Sequence, residues 1–595
     1  MKTTYLSLFI ILITAFSCKQ MSKKEQTPIK ENSAFNQLLH DYNEGKLALD
    51  PINATYAGDN RFNDKFPNTL SDAYQLKVKD FYTRYKTLLT DFNDSDLTKS
   101  QQMSKKILDW ECNMQLEQNS FKNDLLMPIN QMWTVNLVMG QFASAESAQP
   151  FKTVKDYHNW LSRLDKFDTW LHFAEQRMQQ GIKEGYVLPK SLIKKIIPQF
   201  KVLADTKLTD HLFYSPIKKF PASFSSKEKE NLTDLYTKML HDKLIPTFKL
   251  VSKFLQTDYL KAGREDSGID GVPHGKEYYN HAIKFYTTTD MTADQIHSLG
   301  LKEVARISLE MEKVKQEVGF KGNLKDFFNY VREDKALMPY KTPKEIIDNF
   351  YAILKRMTPQ LNKLFNHKPK TPFKVKQTEK FREASASAEY NQGSLDGTRP
   401  GIFYVPIPDA SKYNVYSDEA LFLHEAIPGH HYQISLTQEN TELPEFRKTL
   451  WYSAYGEGWA LYTESLGKEL GLYTDPYQYF GMLSMEMHRA IRLVVDTGIH
   501  AKGWSREKAI QYSLDNEAEP KASIISEIER YMANPGQALS YKIGQMKIRE
   551  LRTKAQKELG DKFDIREFHN QVLETGCIPL KLLENKINNW IAANK

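Results

Sequence analysis

Helical periodicity is the feature that most constrains how this chain folds. The clearest case is residues 292–319, TADQIHSLGLKEVARISLEMEKVKQEVG, where Thr292 and Gln295 match a capping box and Gly319 is a natural stop. The apolar residues between them recur at helical spacing: Ile296, Leu299, Ile307, Met311, Val314 and Val318. Similar patterns occupy much of residues 34–260, 343–366 and 505–595. The sequence therefore predicts a mainly α-helical protein.

One stretch interrupts the helical pattern near the middle of the chain. Residues 261–276, KAGREDSGIDGVPHGK, are rich in glycine and charge, which is typical of a loop. We expect this loop to join an N-terminal helical half, about 34–260, to a catalytic half, about 277–595. Both halves are predicted to belong to one large, mostly helical domain spanning residues 34–595.

A second stretch, shortly before the histidine-rich residues 421–433, predicts a strand in a small sheet. Ile402 to Val405 is a β-prone apolar run bracketed by glycine and proline residues. Because Pro406 and Pro408 follow it, the strand is predicted to lie at a sheet edge. It is either a structural hairpin or a surface that binds an extended peptide by strand addition, with Tyr404 as a candidate substrate contact.

The first residues resemble a bacterial lipoprotein signal. Lys2 supplies a positive start, residues 6–13 form an apolar segment too short to span a bilayer, and TAFSC ends at Cys18. We expect residues 1–17 to be removed, Cys18 to be lipidated, and residues 18–33 to form a flexible tether. This predicts a protein anchored by lipid in the membrane of the bacterial cell envelope. A plain secretory signal, giving a secreted or periplasmic protein, is the alternative.

Charge and cysteine content exclude several classes of function. The net charge of +7, from 81 basic and 74 acidic residues, is spread along the chain, and no zinc finger or RNA-recognition motif accompanies it. We therefore expect no nucleic-acid partner. Beyond Cys18 only Cys112 and Cys577 remain, which is too few for a disulfide framework. These two residues form either one disulfide or two buried free thiols.

The stretch LFLHEAIPGHHYQ, residues 421–433, resembles an interrupted His-Glu-x-x-His zinc motif. In that motif two histidines one helical turn apart bind one metal ion, and the glutamate acts as general base. Here Pro428 occupies the position of the second histidine. In a regular helix His430 would face away from His424, and His431 would lie roughly 10 Å further along the axis.

A break at the Pro-Gly pair resolves this conflict. Proline lacks an N–H and glycine accepts strained torsions, so the pair is predicted to bulge out of the helix. The remaining residues then place His424 and His430 at the standard ligand spacing. We predict that these two histidines bind one Zn²⁺ ion per chain, with His431 as the alternate second ligand. Glu425 is the predicted general base.

The third ligand is predicted downstream, in GEGWALYTES. Glu457 lies at the start of a predicted helix, 27 residues after His430. Such a separation is typical of zinc proteases with a glutamate ligand, and the segment resembles the NEGFA segment that carries this glutamate in M1-type aminopeptidases. Glu464, two turns further along the same helical face, either supports the metal ligands or is a surface carboxylate.

Four ionisable residues share one helical face in MHRAIRLVVDTGIH: Arg489, Arg492, Asp496 and His500. The residues between them are apolar, so the helix is predicted to be buried, where charges must be paired. The structural interpretation is an Arg492–Asp496 ion pair. In the functional interpretation Asp496 orients a metal-binding imidazole and His500 helps to stabilise the oxyanion. Arg489 or Arg492 would then bind a carboxylate of the substrate.

A hydrogen-bond donor to the oxyanion is also expected in a zinc peptidase. ERYMANPGQALSYKIG supplies Tyr531 and Tyr541 beside a Pro-Gly turn. We predict that Tyr541 is this donor. The chain contains 31 tyrosines, however, so either residue also fits a place in the core.

Several motifs together resemble one protein family. LFLHEAIPGHHYQ, GEGWALYTE, RAIRLVVDTGIHAKGWS and PGQALSYKIGQ are similar to segments of the bacterial domain of unknown function 885 (DUF885). The upstream segments TRPGIFYVP, YYNHAIKFYTTTDMTADQIHSLGLKEVARI and DPINATYAGDNRF extend the likeness over nearly the whole chain after the tether. The family is grouped by resemblance with gluzincin-like metallopeptidases. The resemblance implies a large helical bundle around a cleft and a zinc-peptidase-like active site, without a settled substrate.

Taken together, the sequence predicts a zinc-dependent hydrolase of the cell envelope that cleaves short peptides with a metal-activated water. Two other functions fit the same residues. One is hydrolysis of amides or esters that are not peptides, and the other is a non-catalytic lipoprotein that binds peptides or partners.

Overall fold

The computed structural model describes residues 30–132, 134–378, 383, 387–395, 397 and 399–595. The predicted signal peptide, Cys18 and most of the predicted tether lie outside the described residues. The helices of the N-terminal half are α1 (Ser33–Leu49), α2 (Pro51–Ala57), α3 (Asp72–Leu88), α4 (Lys99–Gln118), α5 (Asn123–Leu126), α6 (Val135–Ala143), α7 (Val154–Glu184), α8 (Lys190–Asp205), α9 (Ser226–Lys238), α10 (Ile245–Phe254) and α11 (Leu260–Ala262). The last three are joined by π-helical turns into one long helical run.

The C-terminal half is also helical and carries the sheet. Its helices are α12 (Gly275–Thr287), α13 (Ala293–Glu317), α14 (Leu324–Glu333), α15 (Pro343–Met357), α16 (Asp418–Glu425), α17 (His430–Glu439), α18 (Glu445–Lys448), α19 (Ser453–Glu464), α20 (Pro476–Ala501), α21 (Arg506–Asn516), α22 (Lys521–Ala533), α23 (Ser540–Leu559), α24 (Ile565–Leu573) and α25 (Leu580–Asn594). Its strands are β1 (Phe373–Gln377), β2 (Glu389–Asn391) and β3 (Gly401–Val405). The prediction of a mainly helical fold with a small sheet is confirmed.

Helix α13 shows how the sequence pattern produces the fold. Thr292 and Gln295 form the predicted capping box, and the chain leaves the helix at Gly319 with a φ of +73°. The predicted apolar stripe faces the interior, where Ile307 and Met311 are fully buried. This stripe packs along α20, the helix that carries the four predicted ionisable residues. Burial of such a stripe is the main stabilising contribution to a helix of this kind.

The sheet corrects one prediction. Its strand order is β1-β3-β2, with β1 parallel and β2 antiparallel to β3. The predicted strand is present as β3, but it lies in the centre with both neighbours paired, so the edge position and strand addition to β3 are wrong. The physical reason is that Pro406 and Pro408 follow Val405, the last paired residue, and therefore remove no hydrogen bond from the ladder.

The glycine-rich loop ties the two halves together. It runs over residues 263–274 between α11 and α12. The backbone of Arg264 pairs with Leu188 and Lys190 at the start of α8, and its Nε donates to Val187 O at 2.7 Å. Further along, the N–H of Ile269 donates to a side chain of α20. The loop is therefore an ordered connection, and the buried apolar side chains form one cluster that extends from α1 to α25.

Cys112 and Cys577 are both buried free thiols, which is one of the two predicted alternatives. Among the residues that the structure describes, no helix combines the length and the apolar character needed to cross a membrane.

Candidate metal centre

The predicted break in the zinc motif is a junction between two helices. Helix α16 ends at Glu425 and α17 begins at His430. A Cβ on Gly429 would lie 1.9 Å from the carbonyl oxygen of His424, so only glycine fits between the two helices. The junction is held from α19, where the indole N–H of Trp459 donates to Pro428 O at 2.8 Å.

This junction brings the three predicted ligands together. Nε2 of His430 lies 3.3 Å from Oε2 of Glu457, and Nε2 of His424 lies 3.6 Å from the same oxygen. One donor atom from each of these residues falls within 4.8 Å of the other two. Two imidazoles and one carboxylate form the donor set of a common class of catalytic zinc sites, so the chemistry of these residues fits that metal.

His424 has the supporting carboxylate that a metal-binding imidazole requires. Its Nδ1 hydrogen-bonds Oε1 of Glu464 at 2.7 Å, which directs Nε2 towards Glu457. Burial disfavours the charged imidazolium, but the hydrogen bonds with Glu457 and Glu464 outweigh it and raise the pKa of His424 to about 9. The structure thus places Glu464 beside the ligands, whereas the sequence left open whether it was a surface residue.

The structure separates His430 from His431. His431 faces the sheet, where its Nδ1 lies 2.9 Å from the hydroxyl of Tyr390 and its ring packs on Phe373. Burial lowers the pKa of His431 to about 4, as expected for a neutral packed imidazole. His430 lies in the cluster and is therefore the candidate second ligand. Its Nδ1 is buried without a hydrogen-bond partner among the described residues, unlike that of His424.

Glu425 and Glu457 lie in the same buried centre but respond to it differently. Glu425 is 7% exposed, and burial raises the pKa of its carboxyl despite the nearby positive imidazoles. Burial also opposes ionisation of Glu457, but the charges and hydrogen bonds of His430 and His424 hold the pKa of Glu457 well below its usual range. The carboxyl of Glu425 is therefore suited to accept a proton, and that of Glu457 is suited to remain an anionic ligand.

Tyr541 lies in the first turn of α23, and this helix crosses α19 in backbone contact next to Glu457. A Cβ on Gly458 would lie 2.4 Å from Cα of Gly544, and a Cβ on Gly544 would lie 1.8 Å from the carbonyl oxygen of Ala454. At this crossing, burial and the negative charge of Glu457 raise the pKa of Tyr541, which keeps the phenol protonated. A protonated phenol beside the ligands is a hydrogen-bond donor, as the predicted role requires.

The two arginines of α20 lie next to this phenol. The guanidinium of Arg492 is 4.5 Å from the centre of the Tyr541 ring, and that of Arg489 is 6.0 Å from it. Arg489 is also one of the positive charges that act on Glu425. Tyr531, the other tyrosine considered, is hydrogen-bonded to Arg492 and to Glu527 and is fully engaged there.

Two predictions on α20 are corrected. Asp496 contacts no imidazole; its carboxylate accepts hydrogen bonds from the hydroxyl of Tyr279 at 2.6 Å and from the N–H of Gly536. It forms no ion pair with Arg492, because the two side chains leave the helix towards different neighbours. His500 accepts from the N–H of Ile269 and has Nε2 3.0 Å from the carbonyl of Tyr531. Both ring nitrogens are occupied by these backbone contacts, and the predicted oxyanion role of His500 stays a prediction.

The remaining predicted residue and one missed residue lie near the sheet and the ligands. Tyr404 lies in β3 opposite Lys376 and Glu389, with its side chain half-buried, and its predicted substrate contact stays a prediction.

Trp451 lies near the candidate ligands and was not predicted. Its ring centre lies 5.7 Å from that of His430, and 45% of the residue is exposed. Only its position six residues before Glu457 pointed to it, because no periodicity includes it.

Trp459 and Thr463 were also missed as supports of the junction. Thr463 Oγ1 donates to Leu423 O at 2.9 Å, next to the contact between Trp459 and Pro428. Both residues lie within the segment that carries Glu457. A buried tryptophan two residues after a predicted ligand is the signal that indicates such a role.

The fold and the cluster define a mainly helical protein with a candidate His-His-Glu metal centre. The chain belongs to the family described as bacterial protein of unknown function (DUF885), whose model matches residues 51–587. A comparison with curated proteins gives no match.

Two solved structures share the fold. The first is "the putative lipoprotein from Colwellia psychrerythraea", with 27% sequence identity, a TM-score of 0.87, and coverage of 95% of this chain and 100% of that chain. The second is "a putative lipoprotein of unknown function from Shewanella oneidensis", with 20% identity, a TM-score of 0.72, and coverage of 93% and 99%. At that lower identity the second likeness concerns the fold alone.

Proposed function

We propose that this protein is a zinc-dependent hydrolase of the bacterial cell envelope and that it cleaves peptide bonds. The observation that carries the proposal is the convergence of His424, His430 and Glu457, whose donor atoms lie within 4.8 Å of one another. Glu425 lies directly beside them with a raised pKa. A gluzincin-like arrangement of the active site is part of this proposal and follows from the same residues.

The side chains divide the chemistry among them. A zinc ion held by the three ligands would lower the pKa of a water molecule and polarise the substrate carbonyl. Glu425 takes the proton of the attacking water and later gives it to the leaving amine, for which a raised pKa is suited. Tyr541 donates a hydrogen bond to the oxyanion, and Glu464 holds His424 in the orientation that a metal ligand needs.

Support for the location comes from two sources. The sequence preceding the described residues resembles a lipoprotein signal ending at Cys18, and the two similar structures carry the description of putative lipoproteins. We infer a lipid anchor at Cys18 and a catalytic region held at the membrane surface.

Metal content and peptide hydrolysis test the proposal together. Purified wild type is expected to contain close to one zinc per chain and to hydrolyse short peptides. Glu425→Gln should retain the zinc while its rate falls by a factor on the order of 10² to 10⁴, since it removes the general base. His424→Ala should lose the zinc as well as the activity.

The matched control is Glu445→Gln, which removes an exposed carboxylate on α18 and should change neither quantity. Unchanged activity in Glu425→Gln would show that the assigned mechanism is wrong. Activity without bound metal in the wild type would exclude the zinc hydrolase altogether.

A further inference from the structure

Two neighbouring arginines of α20 have buried N–H groups that nothing satisfies. Nε of Arg489 and Nη1 of Arg492 are inaccessible to solvent and have no hydrogen-bond partner among the described residues. A buried donor without a partner costs free energy, more so when it is charged. Arg163 shows the usual solution, because this fully buried arginine donates to backbone carbonyls and to Gln149 and Thr55 and has no orphaned nitrogen. Arg489 and Arg492 therefore differ from Arg163, because each keeps a buried N–H group without a hydrogen-bond partner among the described residues.

Arg492 is held rigidly with one buried N–H group left without a partner among the described residues. Its Nε donates to the hydroxyl of Tyr531 at 3.0 Å, and its Nη2 pairs with Glu527 at 3.0 Å. These contacts fix the plane of the guanidinium and leave Nη1 as the free donor. A fixed plane lowers the entropy lost when a ligand binds.

Arg489 lies one turn earlier on the same face. Its Nη1 contacts the carbonyl of Met485 at 3.3 Å, and it forms no salt bridge with any residue that the structure describes. Its side chain is half-buried, so it can be reached from solvent while its Nε remains covered. The two residues thus offer N–H donors without partners at one place, and Arg489 adds a positive charge that forms no ion pair with a described residue.

That place adjoins the hydrolytic residues. Both guanidinium groups lie against the ring of Tyr541, at 4.5 and 6.0 Å. The charge of Glu457 acts on the same phenol, and Arg489 acts on Glu425. An anionic group of a substrate bound here would lie beside the bond to be cleaved.

We propose that Arg489 and Arg492 bind the C-terminal carboxylate of a peptide, so that the protein removes residues from the C-terminal end of its substrate. The proposal rests on the proposed hydrolase function and specifies its substrate. Guanidinium groups pair with carboxylates through charge-assisted hydrogen bonds, and each of these two groups retains an N–H donor without a partner among the described residues. In the reaction water adds across one C–N bond: hydroxyl joins the carbonyl carbon, and the proton joins the leaving amine.

A set of three peptides distinguishes the possible sources of the carboxylate. They share one sequence and end in a free acid, in an amide, or in a glutamate with an amidated C-terminus. The wild type should cleave the free acid with a kcat/KM about 10- to 100-fold above that of the amide, as expected for a charge-assisted contact. Equal rates for free acid and amide would overturn the proposal. A glutamyl amide as good as the free acid would also overturn it, because side-chain recognition would then explain the preference.

Variants assign the preference to the arginines. Arg489→Gln should bring the ratio of the two rates close to one. Arg492→Lys keeps the charge beside Glu527, and therefore the fold, but loses the planar donor and should reduce the ratio. The control Arg566→Gln removes an arginine whose described ion pair is with Asp564 at the surface, and it should keep the wild-type ratio. A wild-type ratio in both α20 variants would overturn the assignment.

Binding separates this proposal from the hydrolase. Calorimetry with Glu425→Gln protein should show tighter binding of the free acid than of the amide, and the difference should vanish in Glu425→Gln/Arg489→Gln. If the wild type cleaves no peptide but this difference persists, the carboxylate site stands and the hydrolase fails. If peptides are cleaved but the difference is absent, the hydrolase stands and the carboxylate site is wrong.

Discussion

The candidate metal cluster and the polar face of α20 both consist of buried ionisable residues, but their side chains are arranged in opposite ways. In the cluster, side chains from α16, α17 and α19 converge until their donor atoms lie within 4.8 Å. On α20, residues that share one face diverge. Arg492 pairs with Glu527, Asp496 binds Tyr279, and His500 holds the loop before α12.

The difference shows that an ionisable group on a buried helix has two ways to offset its desolvation. It either finds a separate partner, as Asp496 does, or it joins other groups around a common ligand. A divergent residue is structural, and its removal should affect stability alone. A convergent residue should affect ligand binding. The arginines Arg489 and Arg492 fall between these cases, because each retains a buried donor without a partner.

The largest effect is expected from a substitution that moves His430 away from His424 and Glu457. Gly429→Ala places a methyl group 1.9 Å from His424 O and 2.3 Å from Leu423 O, so α17 must shift and carry His430 away. Such overpacking typically costs about 1–3 kcal/mol, and zinc binding should be lost. Zinc content and thermal unfolding measure the two effects. Gly140→Ala, in α6 with its nearest contact at 3.4 Å, should leave the zinc content unchanged and should not lower the melting temperature, because alanine favours a helix over glycine. Retained zinc in Gly429→Ala would contradict the role of the junction.

A smaller effect on zinc affinity is expected from Glu464 and none from Asp496, the two carboxylates for which an orienting role was predicted. Glu464→Gln weakens the contact to His424 Nδ1 and should lower zinc affinity by about 10- to 100-fold. Asp496→Asn is the matched change on α20 and should leave zinc affinity as in the wild type. Competition with a chromogenic chelator measures both constants. Equal losses in the two variants would mean that the distinction between convergent and divergent residues does not hold.

A third effect concerns the dependence of stability on pH. Burial raises the pKa of Asp496 to about 7, against the hydrogen bonds from Tyr279 and Gly536. The pKa of Asp496 in the folded protein therefore lies above that of an aspartate in the unfolded chain, roughly 3.9. As a result, protonation of this carboxyl stabilises the fold. That contribution is present below about pH 4 and is lost as the pH rises through about 7.

Asp496→Asn should therefore flatten the decline of the melting temperature between about pH 4 and pH 7. The amide oxygen can still accept hydrogen bonds from Tyr279 and Gly536, so the fold is retained. Asp561→Asn, at an exposed position, should reproduce the wild-type profile. A decline as steep in Asp496→Asn as in the wild type would assign it to other groups.

Local patterns in the sequence were sufficient to predict the helices and the break in the motif. The stripe of α13 and its cap depend on residues a few positions apart, and steric constraints on proline and glycine require the junction before His430. The pairing of His424 with His430 was predictable for the same reason. Glu457 was predicted differently, from its separation of 27 residues from His430 and from the resemblance of its segment to NEGFA.

Contacts between distant segments were not predictable in this way. Asp496 meets Tyr279, which lies 217 residues earlier, and no pattern in either segment indicates the other. The position of β3 depends on its pairing with β1 and β2, and no local pattern specifies these partners. The choice between His430 and His431 depended on the sheet as well, since Tyr390 and Phe373 occupy the His431 side.

The crossing of α19 and α23 has a consequence for the order in which the protein becomes complete during synthesis. Glu457 and Gly458 leave the ribosome long before Gly544 and Tyr541, and the glycine contact between the two helices forms only when α23 docks. A chain interrupted after α20 would contain every candidate metal ligand but not the phenol beside them. The set of residues proposed to carry out hydrolysis is therefore complete only after the helices that follow α20 have docked.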